Sequence, residues 1–283
     1  MFSRKTVLVL IVALIAAIYF FYAQNHQLVE SSHTIEVEHL PSEHDGITMV
    51  HLSDLHSAEF GDRNERLLEM VVAQSPDLIF MTGDLIDSYT SNQGEGVQLM
   101  EDLVAIAPTY YVTGNHEWRL DLVDELSETL TNFGVHVLRD ETVNVEVDDF
   151  AFQLIGIDDP DRSPNADPSE VTASSLEEAN VSASQELFTV LLAHRPEMFS
   201  TYQEANLDLV LSGHAHGGQI RLPLIGGILA PGQGLFPDYS EGMYEELDTK
   251  MIVSRGLGNS LFPLRVFNRP EVIRIDLIPS PAS

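Results

Sequence analysis

Five places in the chain gather side chains that bind metal ions or move protons. They are Asp54-Leu55-His56, Gly83-Asp84, Gly114-Asn115-His116-Glu117, His194, and Gly213-His214-Ala215-His216. Each follows an apolar run, at residues 47–52, 78–81, 109–112, 188–193 and 207–211 respectively. Apolar runs this short, bounded by turn residues, read as buried strands. The carboxyl ends of such strands are where open α/β sheets bind ligands. Spacing of i, i+2 sends two side chains to one face of an extended chain, so Asp54 pairs with His56 and His214 with His216. Glycines at 83, 114 and 213 permit tight turns and close backbone approach at that edge.

Pooled, these strings offer four imidazoles (His56, His194, His214, His216), two carboxylates (Asp54, Asp84) and the amide oxygen of Asn115. A mixed N/O set without thiolate suits Mn, Fe or Zn rather than a structural zinc or a calcium cage. Seven ligands are too many for one tetrahedral ion and enough for two if a carboxylate bridges. Two ions about 3.5–4 Å apart are a recurrent device for in-line displacement at phosphorus.

Those residues must be held by a layered domain. Further strand-like runs lie at 152–157, 251–254 and 272–277, and helical patterns at 63–74, 97–106 and 120–132. Strands alternating with helices predict βαβ units and an α/β architecture. Residues 158–170, rich in Asp and Pro, read as a long loop, and the Gly/Pro-rich 217–237 as hairpins and turns. Upstream, 24–45 reads as a polar stalk ending in an edge strand, where Ile35 and Val37 alternate with Glu36 and Glu38. The histidines outside the strings read as bystanders: His26, His33, His39 and His44 in the stalk, His51 and His136 in strands.

The chain has 283 residues, with 14 Lys plus Arg against 44 Asp plus Glu, a formal net charge of −30. At 44% hydrophobic it has material for a true core, which excludes an acidic disordered tail. Clustered Lys and Arg, which a nucleic-acid partner would need, are missing, so none is expected. The chain contains no cysteine, which excludes disulfides, thiolate zinc sites and cysteine nucleophiles. Residues 1–23 stand apart. Arg4 and Lys5 precede an unbroken apolar run, 7–23, that closes on Tyr19-Phe20-Phe21-Tyr22. The run is long enough to cross a bilayer, and its aromatic exit suits an uncleaved signal anchor better than a cleaved signal. The positive-inside rule then predicts a single-pass membrane protein with a cytoplasmic N-terminus and 46–283 outside the cytoplasm as the catalytic domain.

In their order, these five blocks resemble the calcineurin-like metallophosphoesterases, and the resemblance spans residues 46–277. Gly217-Gly218-Gln219-Ile220, Ser254-Arg255-Gly256-Leu257-Gly258 and the anchor further resemble the bacterial membrane-linked subgroup typified by YkuE and YaeI. The resemblance implies a four-layer αββα sandwich with a dinuclear site. Residue by residue, it implies Asp54, His56 and His216 on a first metal and Asn115, His194 and His214 on a second. Asp84 would bridge them, and His116 would contact the phosphate and protonate the leaving group as a cation. The implied reaction is hydrolysis of a phosphate ester, a diester above all, by a hydroxide shared between two divalent ions. A lipid-linked or envelope substrate would suit the anchor.

Two rival readings stand beside it: a phosphatase or nucleotide phosphodiesterase acting on small molecules, and a non-catalytic metal-binding scaffold. Arg63, Arg119 and Arg195 lie near the strings and could hold phosphate oxygens, but surface or ion-paired roles are the stronger expectation. The acidity itself fits a protein adapted to high salt, where counterions screen surface repulsion. On that reading, denaturation midpoints rise as salt increases from near zero to molar; midpoints insensitive to ionic strength would refute it.

Overall fold

The computed structural model describes residues 3–38, 40–41, 44–89, 94–179, 187–259 and 262–280. His39, read as a stalk residue, lies outside them. Helix α1 (Arg4–His26) opens the chain. The strands that follow are β1 (Val29–Val37), β2 (Ile47–Leu52), β3 (Leu78–Thr82), β4 (Thr109–Val112), β5 (His136–Val137), β6 (Glu141–Val147), β7 (Phe150–Gly156), β8 (Thr189–Leu192) and β9 (Leu209–Ser212). Two small hairpins come next, β10 (Arg221–Leu222) with β11 (Gly226–Gly227) and β12 (Leu229–Ala230) with β13 (Gly234–Leu235). The chain finishes with β14 (Gly242–Glu246), β15 (Thr249–Val253) and β16 (Glu271–Pro279). Helices α2 (Glu65–Ala73), α3 (Gly94–Val104), α4 (Asn115–Arg119), α5 (Val123–Phe133), α6 (Pro168–Glu178) and α7 (Phe199–Glu204) connect them.

Two six-stranded sheets result, in the orders β1-β16-β2-β3-β4-β5 and β14-β15-β9-β8-β7-β6. Strand periodicity then stacks four layers. Met49 and Phe80 of the first sheet pack with Leu154, Val190 and Leu211 of the second, which forms a core between the sheets. Residues of opposite parity, Val50 and Ile79, face away and pack with Leu67 of α2, Leu103 of α3 and Leu130 of α5. Ile155 and Leu191 do likewise against Leu176 of α6 and Tyr202 of α7. Both faces of the central strands are therefore covered, which is why these runs read as continuously apolar. The four-layer αββα sandwich is the architecture expected.

Two local readings change. The segment 158–170 is not one long loop: a 3-10 turn at Pro160–Arg162 interrupts it, and α6 begins at Pro168. Asp167 caps that helix, its carboxylate accepting from the Ser169 amide at 2.8 Å, and Pro168 occupies the first helical position. The stalk is also shorter than expected. α1 continues to His26, and β1 pairs in parallel with β16 along its whole length, from Val29 with Glu271 to Val37 with Pro279. Residues 217–237 do form hairpins and turns.

His51 sits fully buried in β2, its Nε2 2.8 Å from Thr82 Oγ1. Burial pushes its pKa down to about 3, with Glu271 offsetting only part of the effect. The folded state thus keeps a neutral imidazole where the unfolded chain, titrating near 6.5, binds a proton. Stability should fall as pH drops from 6.5 to 3, by about 1.4 kcal/mol per pH unit from this residue alone. Urea unfolding of His51→Gln should give a shallower acid slope by about that amount; parallel slopes would contradict the assignment.

Candidate functional site

The strand ends meet where the two sheets face each other, and all seven expected ligands are buried there. Asp84 occupies the centre. Its Oδ1 accepts from the His116 amide at 2.9 Å, which leaves Oδ2 facing inward. Oδ2 lies 3.3 Å from His194 Nε2, 3.5 Å from His56 Nε2 and 4.0 Å from His116 Nε2. On one side of it, Asp54, His56 and His216 converge: Asp54 Oδ1 is 3.3 Å from His216 Nε2, and the two imidazole Nε2 atoms are 3.0 Å apart. On the other side His194 Nε2 and His214 Nδ1 stand 3.1 Å apart. Asn115 completes this second group, its amide reaching within 2.9 Å of His214 Nδ1. One orientation of that amide turns a nitrogen to the ring; the other turns the oxygen, as a cation between them would require.

Close approach of lone-pair atoms is costly unless a proton or a cation lies between them. Two Asp/His groups therefore share Asp84, one with Asp54, His56 and His216 and one with His194 and His214. The donor set fits divalent ions: Asp54, His56, Asp84 and His216 could hold one, and Asp84, His194 and His214, with the Asn115 amide beside them, a second. The His194 ring supports this. Its Nδ1 donates to the Thr82 carbonyl at 2.7 Å, which fixes the tautomer and leaves the Nε2 lone pair for the site. Asp54 is held by the His214 amide, 3.0 Å from each oxygen.

Backbone strain concentrates here. Asp54, His56, Asp84, His214 and His216 all adopt positive φ, between 47° and 62°. Each such residue costs of order 1–3 kcal/mol, so the surrounding packing must impose the conformation. Gly83 follows the same logic at φ 91°, where an added Cβ would come within 2.5 Å of the Gly114 nitrogen. Gly213 is different: a Cβ there would lie 1.9 Å from Ser53 Oγ and 2.3 Å from Asp54 Oδ2. The glycines let ligand-bearing loops touch.

Several contributors were not assigned from sequence. Glu117 is fully buried and accepts from the amides of Gly114 at 2.7 Å, Asp84 at 3.1 Å and Ile86 at 3.2 Å. It clamps two ligand loops together. Burial pushes its pKa up to about 7, and Asp84 adds to the rise. Asp87 brings Oδ1 to 3.2 Å from His116 Nδ1, and the Ser88 amide donates to the same nitrogen at 2.9 Å. Accepting from Ser88 suits a neutral His116 ring with its proton on Nε2, while Asp87 Oδ1 beside the same nitrogen suits the cation expected of it. Burial lowers its pKa, while Asp84 and Asp87 pull the other way. Arg265, wholly buried, donates to the Arg255 carbonyl at 2.9 Å and comes within 3.4 Å of His216 Nδ1. Asp87 lies three residues after a ligand, a weak signal, and Arg265 has none in the sequence.

The three arginines are paired. Arg195 forms a two-pronged contact with Asp159, at 2.8 and 2.9 Å, and a third with Asp161 at 2.6 Å. Arg119 also meets Asp161, at 3.1 Å, and exposed Arg63 stands 3.7 Å from Asp102.

Two facing sheets with a shared carboxylate between Asp/His groups define a class of metal-dependent hydrolase fold. Comparison with known proteins makes it specific: the model of the calcineurin-like phosphoesterases matches residues 47–218, and the chain belongs to that family, whose members hydrolyse phosphate esters. It is 32% identical over 263 residues to the uncharacterized metallophosphoesterase YkuE of Bacillus subtilis, covering 89% of this chain and 86% of that one. Identity to the phosphodiesterase YaeI of Escherichia coli is 29%, over 80% of each chain. A transmembrane protein with a metallophosphoesterase domain from Danio rerio is 31% identical across 97% of this chain, which spans 63% of its length.

If Asp84 holds both ions and Glu117 only positions the loops, two variants should separate in metal calorimetry. Asp84→Asn should abolish binding of both ions, and Glu117→Gln should weaken affinity by about 10–100-fold, as loss of outer partners does. Full-affinity binding by Asp84→Asn would remove it from the bridge.

Proposed function

We propose that this protein is a phosphodiesterase that uses two divalent ions and is held at a membrane by α1, with residues 46–283 as its catalytic domain. The observation that carries the reading is Asp84 Oδ2, placed between two Asp/His groups. When bound, two such ions supply Lewis acidity to phosphoryl oxygens and lower the pKa of a water towards neutrality. They also outweigh Asp54 and Asp84, so an anionic ester meets a locally positive pocket within an acidic chain. Mn, Fe and Zn all suit the donor set, and availability selects among them. A diester is favoured over a monoester by likeness to YaeI.

The chain's own residues handle the proton. The neutral His116 ring presents an Nε2 proton to a phosphoryl oxygen, a hydrogen bond that strengthens as charge develops. Transfer to a departing alkoxide needs the cation, and Asp87 Oδ1 stands 3.2 Å from Nδ1 to receive the second N–H. Ser88 and Asp87 thus serve the two protonation states in turn.

α1 is 23 residues long and contains an 18-residue stretch with a mean hydropathy of 2.6 that is almost wholly exposed, the properties of a spanning helix. Likeness to the Danio rerio transmembrane protein supports an anchor, and Arg4 and Lys5 support a cytoplasmic N-terminus. An amphiphilic, lipid-linked or envelope ester is then the favoured substrate, ahead of a soluble nucleotide.

His116→Ala should retain both ions and lose about 10²–10⁴ in kcat on an alkyl phosphodiester, with a much smaller loss on an aryl diester whose leaving group needs no proton. Asp87→Asn should show the same leaving-group dependence at smaller amplitude. Equal losses on both esters would refute the acid role, and absence of any turnover with Mn, Fe or Zn would favour a scaffold.

A further inference from the structure

The anchor does not hang from a free tether. At its last turns Ala23 and Gln24 are buried, and Phe20 meets Phe267 edge to face with ring centroids 5.3 Å apart. Gln24 Oε1 accepts from the Asn268 amide at 3.0 Å, and Asn25 Oδ1 accepts from the Arg265 amide at 3.1 Å. Asn268 in turn donates its side-chain amide to the His216 carbonyl at 2.7 Å and to that of Gln219 at 3.0 Å. Asn268 therefore touches both the anchor, through Gln24, and the loop that bears His216, and Phe267 beside it meets Phe20.

The hairpins adjoin the same place. Ile220 pairs with Val266, and the Arg221 amide donates to the Val266 carbonyl at 2.9 Å. Their outer surface is apolar and open: Leu224 is fully exposed, Leu235 68% and Phe236 62%, beside Phe267 at 53%. Large apolar side chains left this exposed on linked elements are unusual on a protein surface that meets only water. Charge follows the same boundary. The chain has 44 acidic residues, yet none falls in residues 1–29, 209–237 or 249–270. Arg221, Arg255 and Arg269 lie among them. Glu241 pairs with Arg221 and Arg255, and Glu271 with Arg255, so these acids are neutralised locally and the case for a lipid surface rests on the apolar side chains.

We propose that the face built from the β10–β11 and β12–β13 hairpins and residues 262–267 is a second membrane contact, seated in the interfacial layer of the leaflet where α1 emerges. The proposal rests on α1 spanning the bilayer. Phe20 lies within two turns of the helix end, between the interfacial tyrosines Tyr19 and Tyr22, so its partner Phe267 is at headgroup depth. Leu224, Leu235 and Phe236 then enter the acyl boundary as the apolar face of an interfacial element does. The consequence is a metal-ligand cluster held one loop away from the headgroups, with its orientation to the bilayer fixed at two points.

The chain lacks cysteine, so single-cysteine variants label cleanly. Leu14→Cys, Leu224→Cys, Phe236→Cys and Asp149→Cys, each in the full chain, would carry bimane in phosphatidylcholine vesicles containing doxyl-labelled lipid. Label at Leu14 should be quenched best by mid-chain doxyl. Labels at Leu224 and Phe236 should be quenched roughly twofold by doxyl near the headgroup, and label at exposed Asp149, in the far β6–β7 turn, should not respond. Quenching at Leu14 without quenching at Leu224 and Phe236 overturns the second contact and leaves the anchor standing. No quenching at Leu14, Leu224 or Phe236 overturns both.

Discussion

A buried carboxylate oxygen surrounded by three imidazoles within 4 Å is the constraint on which the rest of the structure depends. Burial alone would raise the Asp84 pKa, yet the His194, His56 and His116 rings hold it well below the usual range. Gathering so many lone pairs around one oxygen is favourable only where positive charge can join them. Every local feature serves that gathering: five ligands bent into the left-handed region, glycines that let the loops touch, and Glu117 binding the amides of two loops at once. The two sheets supply the rigid edges from which the loops project, and helices on the outer faces keep those sheets dry.

Much of this was legible in the sequence, for a physical reason. Buried strands leave short apolar runs, and the ligands sit directly after them, so strand ends and chemistry coincide at 52–56, 81–84, 112–116, 193–194 and 211–216. What escaped depends on partners far away in the chain. The edge strand read in 24–45 is β1, but that it starts as early as Val29 and joins the first sheet depends on its pairing with β16 at the opposite end of the chain. Arg265 and Asn268 reach His216 through a loop whose course no local pattern reveals. Asp87 and Glu117 stood beside recognised ligands, but their roles follow from which amides and rings they meet. The α6 start was a different miss: Asp167-Pro168 is a cap followed by a first-turn proline, submerged in a segment that looked uniformly loop-like.

Acidity and apolarity divide the molecule between them. No acid falls in the sequence of the anchor, the hairpins or the loop before β16, and two of those that border them, Glu241 and Glu271, are paired with Arg221 and Arg255. A net charge of −30 therefore describes the chain as a whole rather than the apolar anchor and hairpins. Long polyanions remain poor partners for so acidic a chain.

The central claim is that two ions, sharing Asp84, are required for hydrolysis. Metal content by plasma mass spectrometry, followed alongside phosphodiester turnover during stepwise chelation of the full-length protein, tests it directly. The account predicts about two equivalents of divalent metal at full activity and loss of turnover in step with their removal. Turnover that persisted in protein stripped of metal would contradict it.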